Sequence, residues 1–176
     1  LSLIKRPGTD LRDQVGSPVL DSLYLLLCRR LESLNGMEQS KKLKAIRISD
    51  CYQLENIDAL YACRDSLTGL IIDNCKAIRD YSVLSSLSQL TRLSLIGSGS
   101  IDSLGFVKDL PNLKSLTISI NVEDGDLTVC DHLEHVSIYP NRRHYNRKDE
   151  DFHKKRREEF TFGDEGIEEW RQTVLR

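Results

Sequence analysis

Apolar residues recur along this chain in a nine-residue template. Positions one, four and six of the template are apolar, and position nine is Cys, Ser or Asn. Six copies follow one another, with steps of 23, 24, 23, 23 and 20 residues between their first positions. The copies begin at Leu20, Leu43, Leu67, Leu90, Leu113 and Leu133. Self-similarity at so constant a period indicates a repeat architecture, in which each unit buries its apolar face against its neighbours.

The alternation within each copy predicts a short β-strand, because successive strand side chains point to opposite faces. In the second copy, Ile46 and Ile48 then face one way and Arg47 faces the other. A single strand of this kind cannot bury its apolar face alone. Parallel stacking of the copies is therefore expected to build a continuous Leu/Ile core.

The return half of each repeat carries apolar residues about every third position, which predicts 3₁₀ turns or short helices. The ranges 57–64 and 83–90 are the best candidates for α-helices. The return that follows the copy at Leu113 is short and acidic, with Glu123, Asp124 and Asp126 close together. We expect that segment to be a loop.

The ninth template position marks the place where the chain leaves each strand and turns. Backbone groups that face inward there need polar partners, because buried backbone donors and acceptors are almost always paired. Amides, a hydroxyl and thiols can supply these partners, the thiols most weakly. The predicted ladder consists of Cys28, Cys51, Cys75, Ser98, Asn121 and Asn141.

The ladder gives three of the five cysteines a packing role. Neighbouring strands would place them about 4.8 Å apart, yet parallel side chains in register rarely reach the dihedral angle of a disulfide. We therefore expect buried structural thiols. An odd number of mostly buried thiols favours a reducing compartment, and hence a cytoplasmic location.

The two ends of the chain depart from the complete template. Leu1 and Leu3 stand 22 residues before Leu23 and Leu25, so residues 1–19 are interpreted as a partial N-terminal repeat that contributes a seventh strand. The alternative is an irregular segment over 1–13. Because no polar cap precedes this partial repeat, we expect the chain to be the C-terminal piece of a longer protein.

After Pro140 the repeat pattern stops, and residues 142–176 form a charged C-terminal segment. The first interpretation is a cap over the last repeat, and the alternative is a free tail. Helices are expected at 148–160 and 167–175.

The motif Leu-x-x-Leu-x-Leu-x-x-Asn/Cys-x-Leu resembles the leucine-rich repeat family over residues 20–141. The resemblance implies an α/β solenoid, a curved right-handed superhelix with a parallel β-sheet on its concave face. Short helices, 3₁₀ turns and loops would form the convex face. The spacing that starts at Ile78 and Tyr81 is similar to internalin-like bacterial proteins, whereas the run from Leu43 to Cys51 is also similar to plant immune receptors. A Leu-Pro pair, typical of the plant class, occurs in the return halves only at Leu110-Pro111, and we expect a bacterial protein. Cysteine at three ladder positions departs from the internalins, in which asparagine dominates.

Composition argues against several other classes of function. The formal net charge is −2, which gives no general reason to expect a nucleic-acid partner. The basic run at 154–157 is flanked by acidic residues and lacks interleaved aromatic residues, so a solvated helix face is the favoured interpretation. No apolar run approaches the ~20 residues that span a bilayer, and no signal peptide is visible.

No residue pattern points to catalysis. His132 and His135 lie near Cys130, but their spacing is not the helical i, i+4 arrangement of a zinc site. The Gly-Ser-Gly-Ser run at 97–100 is interpreted as a strand-exit turn, not a phosphate loop that opens a helix. No Gly-x-Ser-x-Gly motif occurs. We expect neither an enzyme nor a bound metal or cofactor.

The strand residues between the apolar positions would form the concave surface. Aromatic and Arg side chains are enriched at interface hot spots, and exposed isoleucines on a sheet face favour a covering partner. The alternative is scattered surface apolar residues, which are common. The candidate partner-binding residues are Tyr24, Arg47, Ile71, Asp73, Arg92, Ile96 and Tyr139.

The expected function is a non-catalytic protein–protein interaction module that binds a macromolecular partner. The alternative is the recognition segment of a larger enzyme or immune receptor whose active domain lies outside this chain.

Overall fold

A computed structural model describes residues 1–5, 7–12 and 20–153 of the chain. Its main element is a seven-stranded parallel sheet with strand order β1-β2-β3-β4-β5-β7-β9. These strands are β1 (Ser2–Ile4), β2 (Ser22–Leu26), β3 (Ala45–Ser49), β4 (Gly69–Asp73), β5 (Arg92–Ile96), β7 (Ser115–Ile118) and β9 (His135–Ile138). The short strands β6 (Ser100–Ile101) and β8 (Asn121–Val122) pair as a separate parallel ribbon.

Every strand of the main sheet pairs with the strand of the adjacent repeat, template position against template position. Leu23 pairs with Ile46, and Ile46 pairs with Leu70. The predicted α/β architecture of repeated parallel strands is confirmed. At the N-terminal end, Leu3 pairs with Leu25, so the seventh strand is confirmed as well.

The return halves form 3₁₀ helices at Asp58–Cys63, Ser82–Ser86, Gly105–Asp109 and Thr128–Cys130. The prediction of 3₁₀ structure is confirmed, and the α-helices expected at 57–64 and 83–90 are wrong. Apolar residues three apart, such as Ile57 and Leu60, lie above one another on a helix of three residues per turn. Both are buried, and the Leu60 N–H donates to the Ile57 carbonyl at 3.0 Å. An α-helix would offset residues three apart by about 60° at each step, so a longer run at every third position would drift away from the core.

The acidic return after β8 also differs from the sequence prediction. Glu123 and Asp124 lie in a turn as expected, but Thr128–Cys130 form a 3₁₀ helix. Leu127 and Cys130 are completely buried. The loop prediction is therefore wrong for the second half of this return, because two apolar residues three apart suffice to dock one 3₁₀ turn on the core.

The ladder thiols pack inward as predicted. The Cys51 thiol donates to the Ser49 carbonyl at 3.5 Å, and the Cys75 thiol donates to the Asp73 carbonyl at 3.4 Å. The Cys28 thiol makes the equivalent contact with the carbonyl of Leu26 at 3.6 Å. All five cysteines are buried, and none of them forms a disulfide.

The ladder assignment is wrong at Ser98 and Asn141, which are exposed. After Gly97 the chain continues towards β6 instead of turning inward at position nine. The Asn141 side chain instead accepts a hydrogen bond from the Asp149 backbone N–H at 2.8 Å. Asn121 is half-buried and belongs to β8.

Residues 141–153 pack against the last repeats. Tyr145 is 4 % exposed, and its hydroxyl accepts a hydrogen bond from the Val122 N–H at 3.0 Å. The Arg147 guanidinium donates to both carboxylate oxygens of Asp131. Residues 149–153 are helical, in agreement with the start of the helix expected at 148–160. The rest of that helix, the helix expected at 167–175 and the basic run at 154–157 lie outside the described residues.

Candidate partner-binding face

One face of the main sheet carries the side chains that alternate with the core positions, and we call it the open face. Its central row pairs residue by residue across six strands, as the template predicts. The row consists of Tyr24, Arg47, Ile71, Ser94, Thr117 and Ser137. Large side chains therefore lie on β2–β4 and small hydroxyl side chains lie on the strands that follow.

Arg47 lies in the central row of the open face, and three neighbours contact its guanidinium. The guanidinium carbon lies 5.6 Å from the centre of the Tyr24 ring. One terminal nitrogen is 3.7 Å from a carboxylate oxygen of Asp73, and Nε donates to the Ser49 hydroxyl at 3.1 Å. A side chain restrained in this way loses less conformational entropy when it binds a partner.

The Asp73 carboxylate lies in a partly desolvated position. Burial raises its pKa, while the positive charge of Arg47 lowers it and the neighbouring Asp50 raises it. The side chains of Arg47 and Asp73 are 31 % and 29 % exposed. A pair this accessible contributes about 1 kcal/mol or less to stability, so its main effect is to orient Arg47.

Ile71 is only 6 % exposed, so the expectation of an exposed isoleucine at this position is wrong. Its register neighbour is Arg47, whose side chain is held beside it. Long Arg side chains cover apolar surface with their methylene groups. Ile96, on β5, is half-buried.

Six of the seven candidate residues lie on β2–β5. Ile96 pairs with Asp73, and Arg92 pairs with Gly69, so both stand one strand beyond the Arg47 cluster. Tyr139 follows β9 and is 78 % exposed. Five strand spacings separate β2 from β9, which amounts to roughly 24 Å. The single predicted patch is therefore a cluster on β2–β5 and a separate tyrosine.

A second polar cluster, which the sequence analysis did not single out, lies where the strands end. The Asp50 carboxylate accepts hydrogen bonds from the Tyr52 hydroxyl at 2.9 Å and from the Asn74 amide at 3.1 Å. The bond to Asp50 raises the pKa of Tyr52. Asp and Asn at equivalent turn positions of adjacent repeats were the available signal, since both residue types tolerate a left-handed backbone.

Three of the five thiols, those of Cys51, Cys63 and Cys130, are poorly suited to nucleophilic chemistry. Burial raises the pKa of Cys63 to about 11 and that of Cys130 to about 12. Hydrogen bonding with Cys75, together with burial, raises the pKa of Cys51. Thiolate is the reactive form, and these thiols remain protonated at neutral pH.

Two further kinds of feature are absent from the described residues. No cluster of three or more His, Cys, Asp or Glu side chains is placed to hold a metal ion. Across the same part of the chain, no helix has the length and apolarity that crossing a bilayer requires.

No protein-family model matches the sequence, and no curated protein aligns significantly with it.

Proposed function

We propose that this chain is a leucine-rich repeat protein of the internalin-like bacterial type and that it binds a protein partner without catalysing a reaction. The open face is the proposed binding surface, and in such a solenoid it corresponds to the concave face. The observation that carries the proposal is the Tyr24–Arg47–Asp73 cluster, in which an aromatic ring and a carboxylate hold a partly exposed guanidinium in one orientation.

The composition of the open face supports this proposal. Tyr and Arg are among the residue types enriched at interface hot spots, and here they are neighbours in one row. The serines and threonine that continue the row offer hydrogen bonds for a polar rim. Buried thiols that form no disulfide support a reducing compartment, and we propose a cytoplasmic protein.

The chain contains a matched control for a test of this surface. On the return side, Arg64 lies over the ring of Tyr61 with 4.4 Å between the guanidinium carbon and the ring centre. This second pair has the same residue types and the same contact as Tyr24 and Arg47, but it belongs to the 3₁₀ helix Asp58–Cys63 and the residue after it.

The test compares two double variants as bait for quantitative capture of bound proteins. Tyr24→Ala with Arg47→Glu is expected to lose the partner that the wild-type chain enriches, at least tenfold in affinity, because two hot-spot side chains typically contribute ~1–2 kcal/mol each or more. Tyr61→Ala with Arg64→Glu should retain it. Equal capture by both variants, or equal loss in both, would reject the open face as the binding surface.

A further inference from the structure

A depression of about 530 Å³ opens at the edge where strands β4 and β5 end, and we call it the exit-edge depression. Three separate parts of the chain line it: the turn after β4, the loop between β5 and β6 with its neighbour β8, and the C-terminal segment. The lining residues are Lys76, Arg79, Ser98, Gly99, Ser100, Asn121, Arg142 and His144. Three of the eight are cations, one is a histidine and none carries a carboxylate.

No carboxylate of the described residues forms an ion pair with the positive charges around this depression. The ion pairs of the described residues engage Arg12, Arg47, Arg64, Lys114, Arg147 and His153. None of them includes Lys76, Arg79 or Arg142. Three like charges that share one concavity create a positive potential, which attracts an anion.

Arg142 also has unused hydrogen-bonding capacity. Its Nε is buried and has no hydrogen-bond partner within residues 1–5, 7–12 and 20–153. One terminal nitrogen reaches the Ser119 carbonyl only at 3.5 Å. The Arg142 backbone is held in place, because the Lys148 ammonium donates to its carbonyl oxygen. A guanidinium on a fixed backbone suits a planar or tetrahedral oxyanion, which it would contact through its terminal nitrogens because the Nε is closed to solvent.

Neutral donors complete the lining. The side chains of Ser98, Ser100 and Asn121 make no side-chain hydrogen bond within the described part of the chain. The His144 ring is fixed, since its Nε2 lies 2.9 Å from the Val122 carbonyl oxygen. Because a carbonyl only accepts, Nε2 carries the proton in this contact.

We propose that the exit-edge depression binds a phosphate monoester, with Lys76, Arg79 and Arg142 contacting the phosphoryl oxygens. Three cations suit the double negative charge of a monoester better than the single charge of a carboxylate or phosphodiester. The volume lies in the range of ~300–1,000 Å³ typical of small-molecule sites. It leaves room for the organic part of the ligand beside Ser98 and Asn121. This site is separate from the open face, so it goes beyond the proposed function.

The first experiment measures binding of inorganic phosphate and of glycerol 3-phosphate to the full chain by calorimetry, at a fixed ionic strength of about 0.15 M. Saturable binding of both is expected, with glycerol as the ligand control without phosphate. The double variant Lys76→Ala with Arg79→Ala should weaken binding about tenfold or more, because it removes two charge-assisted contacts. Both side chains are exposed, so the fold should tolerate their loss.

The matched control is Lys41→Ala with Lys42→Ala, which removes the same net charge from two exposed positions on an earlier return. It should change phosphate affinity less than about twofold. Equal weakening in both double variants would show unspecific attraction and would overturn the proposal, as would the absence of saturable binding to the wild-type chain.

A third variant and two further ligands sharpen the assignment. Arg142→Lys retains the charge but not the guanidinium fork, and it should weaken phosphate binding while the urea midpoint of unfolding stays unchanged. A phosphoserine peptide distinguishes the source of the monoester: binding tighter than that of glycerol 3-phosphate would indicate a modified protein as ligand. Tighter binding of a short single-stranded oligonucleotide, a phosphodiester, would contradict the proposal.

Discussion

The residue that follows each of the first five strands of the main sheet adopts a left-handed backbone conformation. Its φ angle is 54° at Lys5, 55° at Leu27 and Asp50, 58° at Asn74 and 114° at Gly97. These N–H groups turn towards the next repeat, as when Asp50 donates to the Asp73 carbonyl at 2.9 Å. The same turn therefore follows each of these five strands. Of the residue types at these positions, only Asp, Asn and Gly enter the left-handed region readily.

Gly97→Ala should lower the free energy of unfolding by about 1–3 kcal/mol, because alanine is strained at this φ. Its Cβ would also lie only 2.8 Å from the Asn74 backbone nitrogen. Gly99→Ala, two residues away, is the control: its Cβ would meet nothing closer than 3.8 Å. Urea unfolding of both variants tests this, and equal midpoints would show that Gly97 is not constrained.

The lowered pKa of the Asp126 carboxylate is expected to make the stability of the chain depend on pH. The Thr128 hydroxyl, the Asn146 amide and the Thr128 N–H donate to its carboxylate and hold its pKa at about 2, below the ordinary value of 3.8. Its contribution to stability is therefore complete above pH 3.8 and is lost as the pH falls through about 2.

In urea unfolding between pH 5 and pH 2, the stability difference between the wild-type chain and Asp126→Asn should shrink as the pH falls. Asp109→Asn, at an exposed position, is the control and should show no such trend. A difference that stays constant over this range would contradict the assigned pKa shift.

At the scale of the element, the complete repeats each contribute one strand of the main sheet and one return, and the core lies between them. Leu25, Ile48 and Leu95 from the strands and Leu60 and Leu84 from the returns are at most 1 % exposed. A return with apolar residues at every third position needs only 3₁₀ turns to present them all to the strands. The ladder thiols close this core at the strand ends, where they donate to backbone carbonyls.

The buried ladder predicts thiols that are protected in the native state. Ellman's reagent should modify fewer than one thiol per chain in the folded protein, since all five are buried and burial raises the pKa of Cys63 and Cys130. The chain unfolded in urea provides the control and should release five equivalents. Rapid modification of two or more thiols under native conditions would show that the repeats open locally.

At the scale of the whole molecule, each strand of the main sheet pairs only with the strands of the adjacent repeats. The C-terminal segment adds a different kind of contact. The Asn146 side chain accepts a hydrogen bond from the Leu127 N–H at 2.9 Å, and the Asp149 carboxylate accepts one from the Ile138 N–H at 2.6 Å. These bonds give partners to backbone donors of the last two repeats. The C-terminal segment thus covers the last repeat, as the end of a solenoid requires, because a terminal repeat has no further repeat to pack against it.

Tyr145→Phe should destabilise the chain by about 1–3 kcal/mol, because the buried Val122 N–H would lose its acceptor. Tyr139→Phe removes the same hydroxyl from a side chain that is 78 % exposed and should be neutral. Thermal and urea unfolding of the two variants provide the comparison. A neutral Tyr145→Phe would mean that water or another group replaces the hydroxyl and that the segment adds little to stability.

The sequence alone determined which residues share a face and which residues are neighbours across the sheet. Alternation with a period of two assigns each side chain to the core or to the open face. A nearly constant repeat step then aligns equivalent residues, which is why the pairing of Tyr24 with Arg47 could be predicted. The left-handed turns could be predicted only in part, because Leu and Lys are not residue types that favour this conformation, although Leu27 and Lys5 adopt it.

Only the tertiary structure decided how exposed each residue is and which distant charges meet. Ile71 occupies its predicted position in the row, yet it is buried, because its exposure depends on side chains of other strands. The exit-edge depression joins Lys76 and Arg79 to Arg142 and His144, more than 60 residues further along the chain. A local pattern sets the direction of a side chain, whereas burial and electrostatic potential are sums over everything that folding brings near it.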